Sequence, residues 1–316
     1  MALLIIAAVV GLVLLTLAAD QFVIGAARLS VALRVSPVVI GAVVIGFGTS
    51  APEMLVSGIA AGSGSLDIAI GNIIGSNVAN LSLVLGVAAL VAPLAVRSGT
   101  LKREAPISVA SVVLIALIVQ GGIGRTQGVI LLGAMVVALT AIIVAARMSG
   151  ETDDLADEVE EMMGEEPPGA RLGGEAVRTL LGLIGTIGGA QLLVWSARGL
   201  AAEIGLSEAF IGLTVVAIGT SLPELVTSIQ AARKGEHDLI AGNLLGSNLF
   251  NSLAVGGIAG VVGPGPIDAE IAGTGSVLMV GLALVAWLFM GTGRTVERWE
   301  GGLLLVVYVV ALPFLA

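Results

Sequence analysis

The sequence predicts an all-α membrane protein: ten transmembrane helices in two inverted-topology five-helix repeats. Three observations carry this expectation. They are a composition too apolar for a water-soluble globule, ten hydrophobic stretches near membrane-crossing length, and two motif-bearing segments that recur at one fixed spacing. Hydrophobic residues fill 57% of 316 positions, charged residues only 12%, and mean hydropathy is +1.08, so the polar surface of a globule is missing. The 45 glycines suit membrane helices that approach closely, and no alternating strands of the outer-membrane barrel kind are visible. The absence of cysteine excludes disulfides, thiolate metal sites and cysteine nucleophiles.

At about 20 residues per crossing, the apolar cores fall at 2–19, 37–60, 68–92, 105–120, 127–146, 179–197, 209–232, 238–262, 272–290 and 302–316. The first run, Met1 to Ala19, lacks the basic stretch of a signal peptide and reads as a span. Gln120, Gly121, Gly122, Gly124 and Arg125 separate the fourth span from the fifth. Basic residues test the count, because short cytoplasmic loops collect them. With ten spans, one side holds Arg28, Arg34, Arg97, Lys102, Arg103, Arg147, Arg171, Arg178, Arg233, Lys234, Arg294 and Arg298, and the other only Arg125 and Arg198. The expectation is a multi-pass protein of the cell membrane with both termini outside.

The chain then divides into a first five-span repeat at 1–148, a cytoplasmic linker at 149–174 and a second, inverted repeat at 175–316. Within the linker, Glu151 to Glu166 carries nine acidic residues and no basic ones, and this run accounts for the formal charge of -9. It reads as a solvated connector; it lacks the glycine and ligand spacing of an EF-hand loop.

Gly41 to Gly62, GAVVIGFGTSAPEMLVSGIAAG, recurs as Gly212 to Arg233, GLTVVAIGTSLPELVTSIQAAR, with ten identities in 22 positions and an offset of 171 residues. At the same offset, Gly71 to Gly86, GNIIGSNVANLSLVLG, recurs as Gly242 to Gly257, GNLLGSNLFNSLAVGG, with eight in 16. Five spans is an odd number, so the second copy enters the membrane from the opposite side. Inverted repeats of this kind mark secondary transporters, whose substrate site lies near the midplane where the repeats meet.

Glu53 and Glu224 lie inside apolar spans, where an ionised carboxylate costs roughly 3 kcal/mol on insertion scales. No lysine or arginine lies mid-span, so a bound cation is the natural partner. Thr49 and Ser50 precede Glu53 by four and three residues, positions that share a helical face, and Thr220, Ser221 and Glu224 repeat the arrangement. Pro52 and Pro223 offer no N–H and are expected to loosen the helix near Gly48 and Gly219, freeing backbone carbonyls. The next span of each half adds Ser76 with Asn80 and Ser247 with Asn251. Asn77 and Asn248 sit between them. The GxxxG pairs Gly71 with Gly75 and Gly242 with Gly246 read as close packing surfaces. This all-oxygen inventory suits Ca2+ and Na+; Mg2+ holds its water tightly, and zinc recruits histidine or cysteine. His237, the only histidine, lies in a charged loop and reads as surface.

The tandem motifs GTSAPE with GNIIGSNVAN and GTSLPE with GNLLGSNLFN resemble the α-repeats of the Na+/Ca2+ exchanger family, within the Ca2+/cation antiporter superfamily. The resemblance implies that Glu53 and Glu224 hold the central ions, with oxygens from Thr49, Ser50, Ser76, Thr220, Ser221 and Ser247. Backbone carbonyls of Gly46 and Ala217 would add to these, and Asn80 matches as well. Asn251 departs from the pattern, since a prokaryotic member of that family has aspartate there. The function so implied is secondary active exchange of Ca2+ for Na+ by alternating access. The partners are the two ions and the lipid bilayer, with no cofactor, enzymatic activity, nucleic acid or protein partner expected. An H+/Ca2+ antiporter of the same superfamily is the alternative reading. A passive cation channel fits less well, because channels build filters by symmetric oligomerisation and have no need of inverted repeats.

Overall fold

A computed structural model of the chain describes residues 1–32, 50–96, 100–149, 172–235 and 237–312. Two long helices, α1 (Ala2–Ala32) and α6 (Leu172–Ile204), lie against one another along their length. Both run past the apolar cores read from hydropathy, because their ends carry polar side chains such as Arg28, Glu175, Arg178 and Glu203. Arg28 and Glu175 pair across these two helices at 3.4 Å.

In the first half, α2 (Ala51–Gly62) is followed by α3 (Leu66–Ala79), which continues through a π-helical turn at Asn80–Val84 into Leu85–Val91. A π-helical turn at Thr100–Glu104 leads into α4 (Ala105–Ile118), and α5 (Arg125–Ser149) ends the half. In the second half, α7 (Glu208–Thr220) includes a π-helical turn at Gly212–Val216 and meets α8 (Leu222–Lys234) at a bend of 42°. Then α9 (His237–Phe250) continues through a π-helical turn at Asn251–Val255 into Gly256–Val262. The turn Ile271–Gly275 leads into α10 (Ser276–Gly291), and α11 (Arg298–Ala311) closes the described chain.

The 171-residue offset of the motifs is therefore also an offset of structure. Asn80–Val84 maps onto Asn251–Val255, Leu85–Val91 onto Gly256–Val262, and Thr100–Glu104 onto Ile271–Gly275, residue for residue. Among the described residues, seven helices are long and apolar enough to cross a membrane, and the bent pair α7 and α8 makes an eighth. The second expected span, 37–60, is described only from residue 50, and the tenth, 302–316, only to residue 312. Thr49, Gly46 and the acidic run Glu151 to Glu166 lie outside the described residues.

Helices α3 and α9 form the centre, almost wholly buried, while α1 and α5 turn apolar side chains such as Leu3, Leu17, Val129 and Val137 outward, as lipid-facing helices do. The two halves interleave. Helix α5 of the first packs on the Gly256–Val262 segment of the second, and α11 of the second packs on the Leu85–Val91 segment of the first. Glycines set both crossings: a methyl group on Gly128 would stand 2.8 Å from the Gly257 carbonyl, and one on Gly86 would stand 2.8 Å from that of Gly301. Short backbone clasps join the halves as well. At one, β1 (Leu94–Ala95) pairs antiparallel with β2 (Thr295–Val296). At the other, Ile123 and Gly265 exchange both backbone hydrogen bonds, at 3.0 and 2.9 Å.

The first GxxxG pair behaves as expected of a packing surface. A methyl group on Gly75 would run into the Leu213 carbonyl and stand 2.6 Å from the Ala217 Cβ, so α3 lies directly on α7. Gly75→Val should therefore destabilise the purified protein by at least the roughly 1–3 kcal/mol typical of overpacking. Gly133→Ala, where no described atom lies within 4 Å of the added methyl, should be near neutral. Equal thermal unfolding midpoints for the two variants would contradict this packing.

Candidate functional site

A helix begins after a serine at equivalent places in the two halves. Ser50 (φ -92°, ψ 5°) precedes α2, and Ser221 (φ -88°, ψ 5°) separates α7 from α8. The break at Ser221 comes two residues beyond the expected Gly219, so Thr220, Ser221 and Glu224 do not share one continuous helical face. Pro223 explains the position: without an N–H it cannot extend α7, yet its fixed φ suits the first turn of a new helix.

Each new helix opens with a Ser-x-Pro-Glu sequence that has the spacing of a capping box, in which the serine and glutamate side chains cover free backbone N–H groups. Neither serine makes that cap. At α11 the box does close, between Glu297 and Glu300. The open boxes leave oxygens aimed elsewhere: the Ser50 and Ser221 hydroxyls, both carboxylate oxygens of Glu53 and Oε2 of Glu224 are buried without hydrogen-bond partners. Glu53 and Glu224 are each 1% exposed.

The Glu53 carboxyl lies within electrostatic reach of both Glu224 and the Thr220 hydroxyl. Helix α3 adds Ser76, whose Oγ is 3.5 Å from Thr220 Oγ1. The π-helical turns bring in the asparagines crosswise: α2 packs on the turn beginning at Asn251, and α8 on the turn beginning at Asn80. Asn80 donates from Nδ2 to Asn248 Oδ1 at 3.0 Å, and Asn248 donates to the Asn77 carbonyl at 3.4 Å. The Oδ1 atoms of Asn80 and Asn251 have no partner. Ser247, next to Asn248 in the chain, is buried. The Ala217 carbonyl accepts from the Ser221 N–H at 3.0 Å and from the Thr220 hydroxyl at 3.3 Å.

Two further side chains belong here that motif reasoning passed over. Asn72 accepts from Thr220 Oγ1 at 3.1 Å and donates to Ser57 Oγ at 3.0 Å. Their signal is present in the repeat, since Asn72 and Ser57 are matched at the common offset by Asn243 and Ser228.

Buried polar groups normally find hydrogen-bond partners. A cluster that leaves acceptor oxygens over, while the nearby amide nitrogens of Asn72, Asn80 and Asn248 are engaged, is short of positive charge. No lysine or arginine is among the fully buried side chains described. Nor do the described residues include a group of three or more histidine, cysteine or acidic side chains that could hold a metal ion. What remains is an oxygen site with two carboxylates, suited to hard cations of Ca2+ or Na+ size. The asparagine layer is part of its frame. Asn248→Ala would strip Asn80 of its acceptor and should cost about 1–3 kcal/mol for the unpaired buried donor. An unchanged unfolding midpoint would show that the layer does not hold the site.

Proteins of one family resemble this chain over nearly its whole length. The sequence model of the family described as sodium/calcium exchanger protein matches residues 3–144 and again residues 175–316. CaxA of Alkalimonas amylolytica is 41% identical over 304 residues, covering 95% of this chain and 94% of the relative. The sodium/calcium exchanger MaX1 of Methanosarcina acetivorans is 29% identical over 336 residues, 96% of each chain. Among solved structures, the sodium-calcium exchanger NCX_Mj soaked with 10 mM Na+ and 10 mM Sr2+ superposes with a TM-score of 0.65 at 31% identity, over 99% of both chains. The chain belongs to the sodium/calcium exchanger family.

Proposed function

We propose that this protein is a secondary active antiporter, exchanging Ca2+ for Na+ by alternating access at a midplane site around Glu53 and Glu224. The observation that carries the reading is the set of buried, unpartnered oxygens around two glutamates close enough to repel one another. Two ionised glutamates carry a charge of -2, which one Ca2+ neutralises and which two or more Na+ also match. An empty site would leave that charge uncompensated during a conformational switch, so exchange is favoured over uncoupled leak. The full ligand set of the proposal adds Thr49, Ser50, Ser76, Thr220, Ser221, Ser247, Asn80, Asn251 and the carbonyls of Gly46 and Ala217. The names of MaX1 and NCX_Mj, both sodium/calcium exchangers, support the choice of ions.

The proposal includes ten spans in two five-span repeats of opposite orientation, with both termini outside and the 149–174 linker in the cytoplasm. The charge asymmetry of the loops and the structural offset between the halves support this layout. Such a chain is built for a site shared between the repeats.

Uptake of radiolabelled Ca2+ into proteoliposomes, under imposed Na+ or H+ gradients, tests the reading. A Na+ gradient should drive uptake. Glu53→Gln and Glu224→Gln, which keep volume and remove half the charge, should each reduce it by more than about 10-fold, the lower bound for losing even an outer-shell partner. Uptake driven by H+ without Na+ would replace Na+ coupling by H+ coupling, and parent-like exchange in either mutant would overturn the site.

The natural absence of cysteine makes the orientation testable with single introduced thiols. A cysteine at Lys234 should react with an impermeant reagent only from the cytoplasm, and one at Gly265 only from outside. Reaction of both from one side would contradict the proposed crossing of the membrane between them.

A further inference from the structure

We infer that Asn72 is a positioning residue for the cation site: it takes up the Thr220 hydroxyl proton, so that this oxygen faces the ion as an acceptor. The inference rests on the cation-binding reading of Glu53 and Glu224 and extends it to residues that touch no proposed ion. Asn72 and Ser57 are both fully enclosed, at 0% exposure, so neither has water to satisfy it.

The direction of each bond follows from counting protons. The Ser57 hydroxyl donates to the Ala69 carbonyl at 3.3 Å, which commits its single proton. Its oxygen can then only accept, and the group facing it at 3.0 Å must be the Asn72 amide nitrogen. That fixes the other end of the amide: Asn72 Oδ1 faces Thr220 Oγ1 at 3.1 Å. An amide oxygen is acceptor-only, so Thr220 must donate. It has one proton, and Asn72 at 3.1 Å is nearer than the Ala217 carbonyl at 3.3 Å or the Ser76 hydroxyl at 3.5 Å; the Glu53 carboxyl, also within reach, is engaged by the cation under the proposed function. With that proton held, the lone pairs of Thr220 are left for the space shared with Ser76 and Glu53.

The consequence is electrostatic. A hydroxyl can present either its oxygen or its proton to a cation, and the two orientations differ in sign. The relay from Ala69 through Ser57 and Asn72 selects the oxygen before an ion arrives. Outer-shell groups that orient a ligand in this way typically contribute 10–100-fold to metal affinity.

The experiment is Ca2+ binding to detergent-purified protein by titration calorimetry, alongside Na+-driven Ca2+ flux in proteoliposomes. Asn72→Ala should weaken Ca2+ binding by about 10-fold or more, raising the KM of flux. Ser57→Ala releases the amide to turn over and should weaken binding in the same direction, while Ser57→Thr, which keeps the hydroxyl, should restore it. The decisive arm is a double-mutant cycle: in a Thr220→Ala background the Asn72 substitution should have no further effect on Ca2+ affinity, because its target is gone. Parent-like affinity in Asn72→Ala, or full additivity with Thr220→Ala, would overturn the positioning role. A parent protein that binds Ca2+ but shows no Na+-driven flux would overturn the antiport reading alone and leave the binding comparison intact. Absence of Ca2+ binding by the parent would overturn both.

Discussion

Two carboxylates that repel one another are held in an apolar interior, and no fully buried basic side chain among the described residues compensates them. Each stands in the first turn of a helix, at the positive end of its dipole, but a helix terminus contributes at most about 2 kcal/mol to an anion there. Burying an ionised carboxylate at mid-membrane costs roughly 3 kcal/mol on insertion scales and more in simulation. The dipoles reduce the deficit and do not close it for two like charges. Nothing among the described residues supplies the remainder, and a cation cargo supplies it under the proposed function.

The local structure serves this deficit by withholding donors. At α11 a glutamate pair closes its capping box and is satisfied within its own turn. At α2 and α8 the same serine-to-glutamate spacing stays open, so hydroxyl and carboxylate oxygens face the interior together. The asparagines follow the same rule: Asn80 spends its amide N–H on Asn248 and keeps its oxygen. The π-helical turns at Asn80 and Asn251 are where these side chains leave their helices, and such turns recur at functional positions in helices generally.

Much of this was legible in the sequence, and the parts that were not have physical reasons. The glutamates, the serines and threonine beside them and the twofold repetition were readable because a charge in an apolar run has no structural use and because the repeat doubles the signal. The packing role of Gly71 and Gly75 was readable from spacing, but the same spacing failed at Gly242 and Gly246, where an added methyl meets only Glu104 Oε2 at 3.7 Å and no described atom within 4 Å, respectively. The break after Thr220 was misplaced by two residues because a proline marks where a helix cannot continue, while the exact turn depends on where the next helix can begin. Asn72 and Ser57 lie within the repeated segments, but only a fold shows that Asn72 reaches α7 while holding Ser57. The crosswise contact of α2 with the Asn251 turn and α8 with the Asn80 turn is equally invisible in one dimension.

The interleaving of the two halves has a consequence for biogenesis. Helix α5 finds its glycine-lined partner only in α9, α3 finds its own in α11, and each backbone clasp needs one strand or loop from either half. The helices of the first half therefore emerge from the ribosome before any of these partners exists. Their contacts with the second half can form only after insertion, as in a two-stage pathway in which insertion precedes helix association. Through that interval the first glutamate lacks its opposite number and the Asn248 and Asn251 side of the asparagine layer, so the site is completed only by the second half. The halves look like separable units in sequence, yet they mature as a single cooperative body.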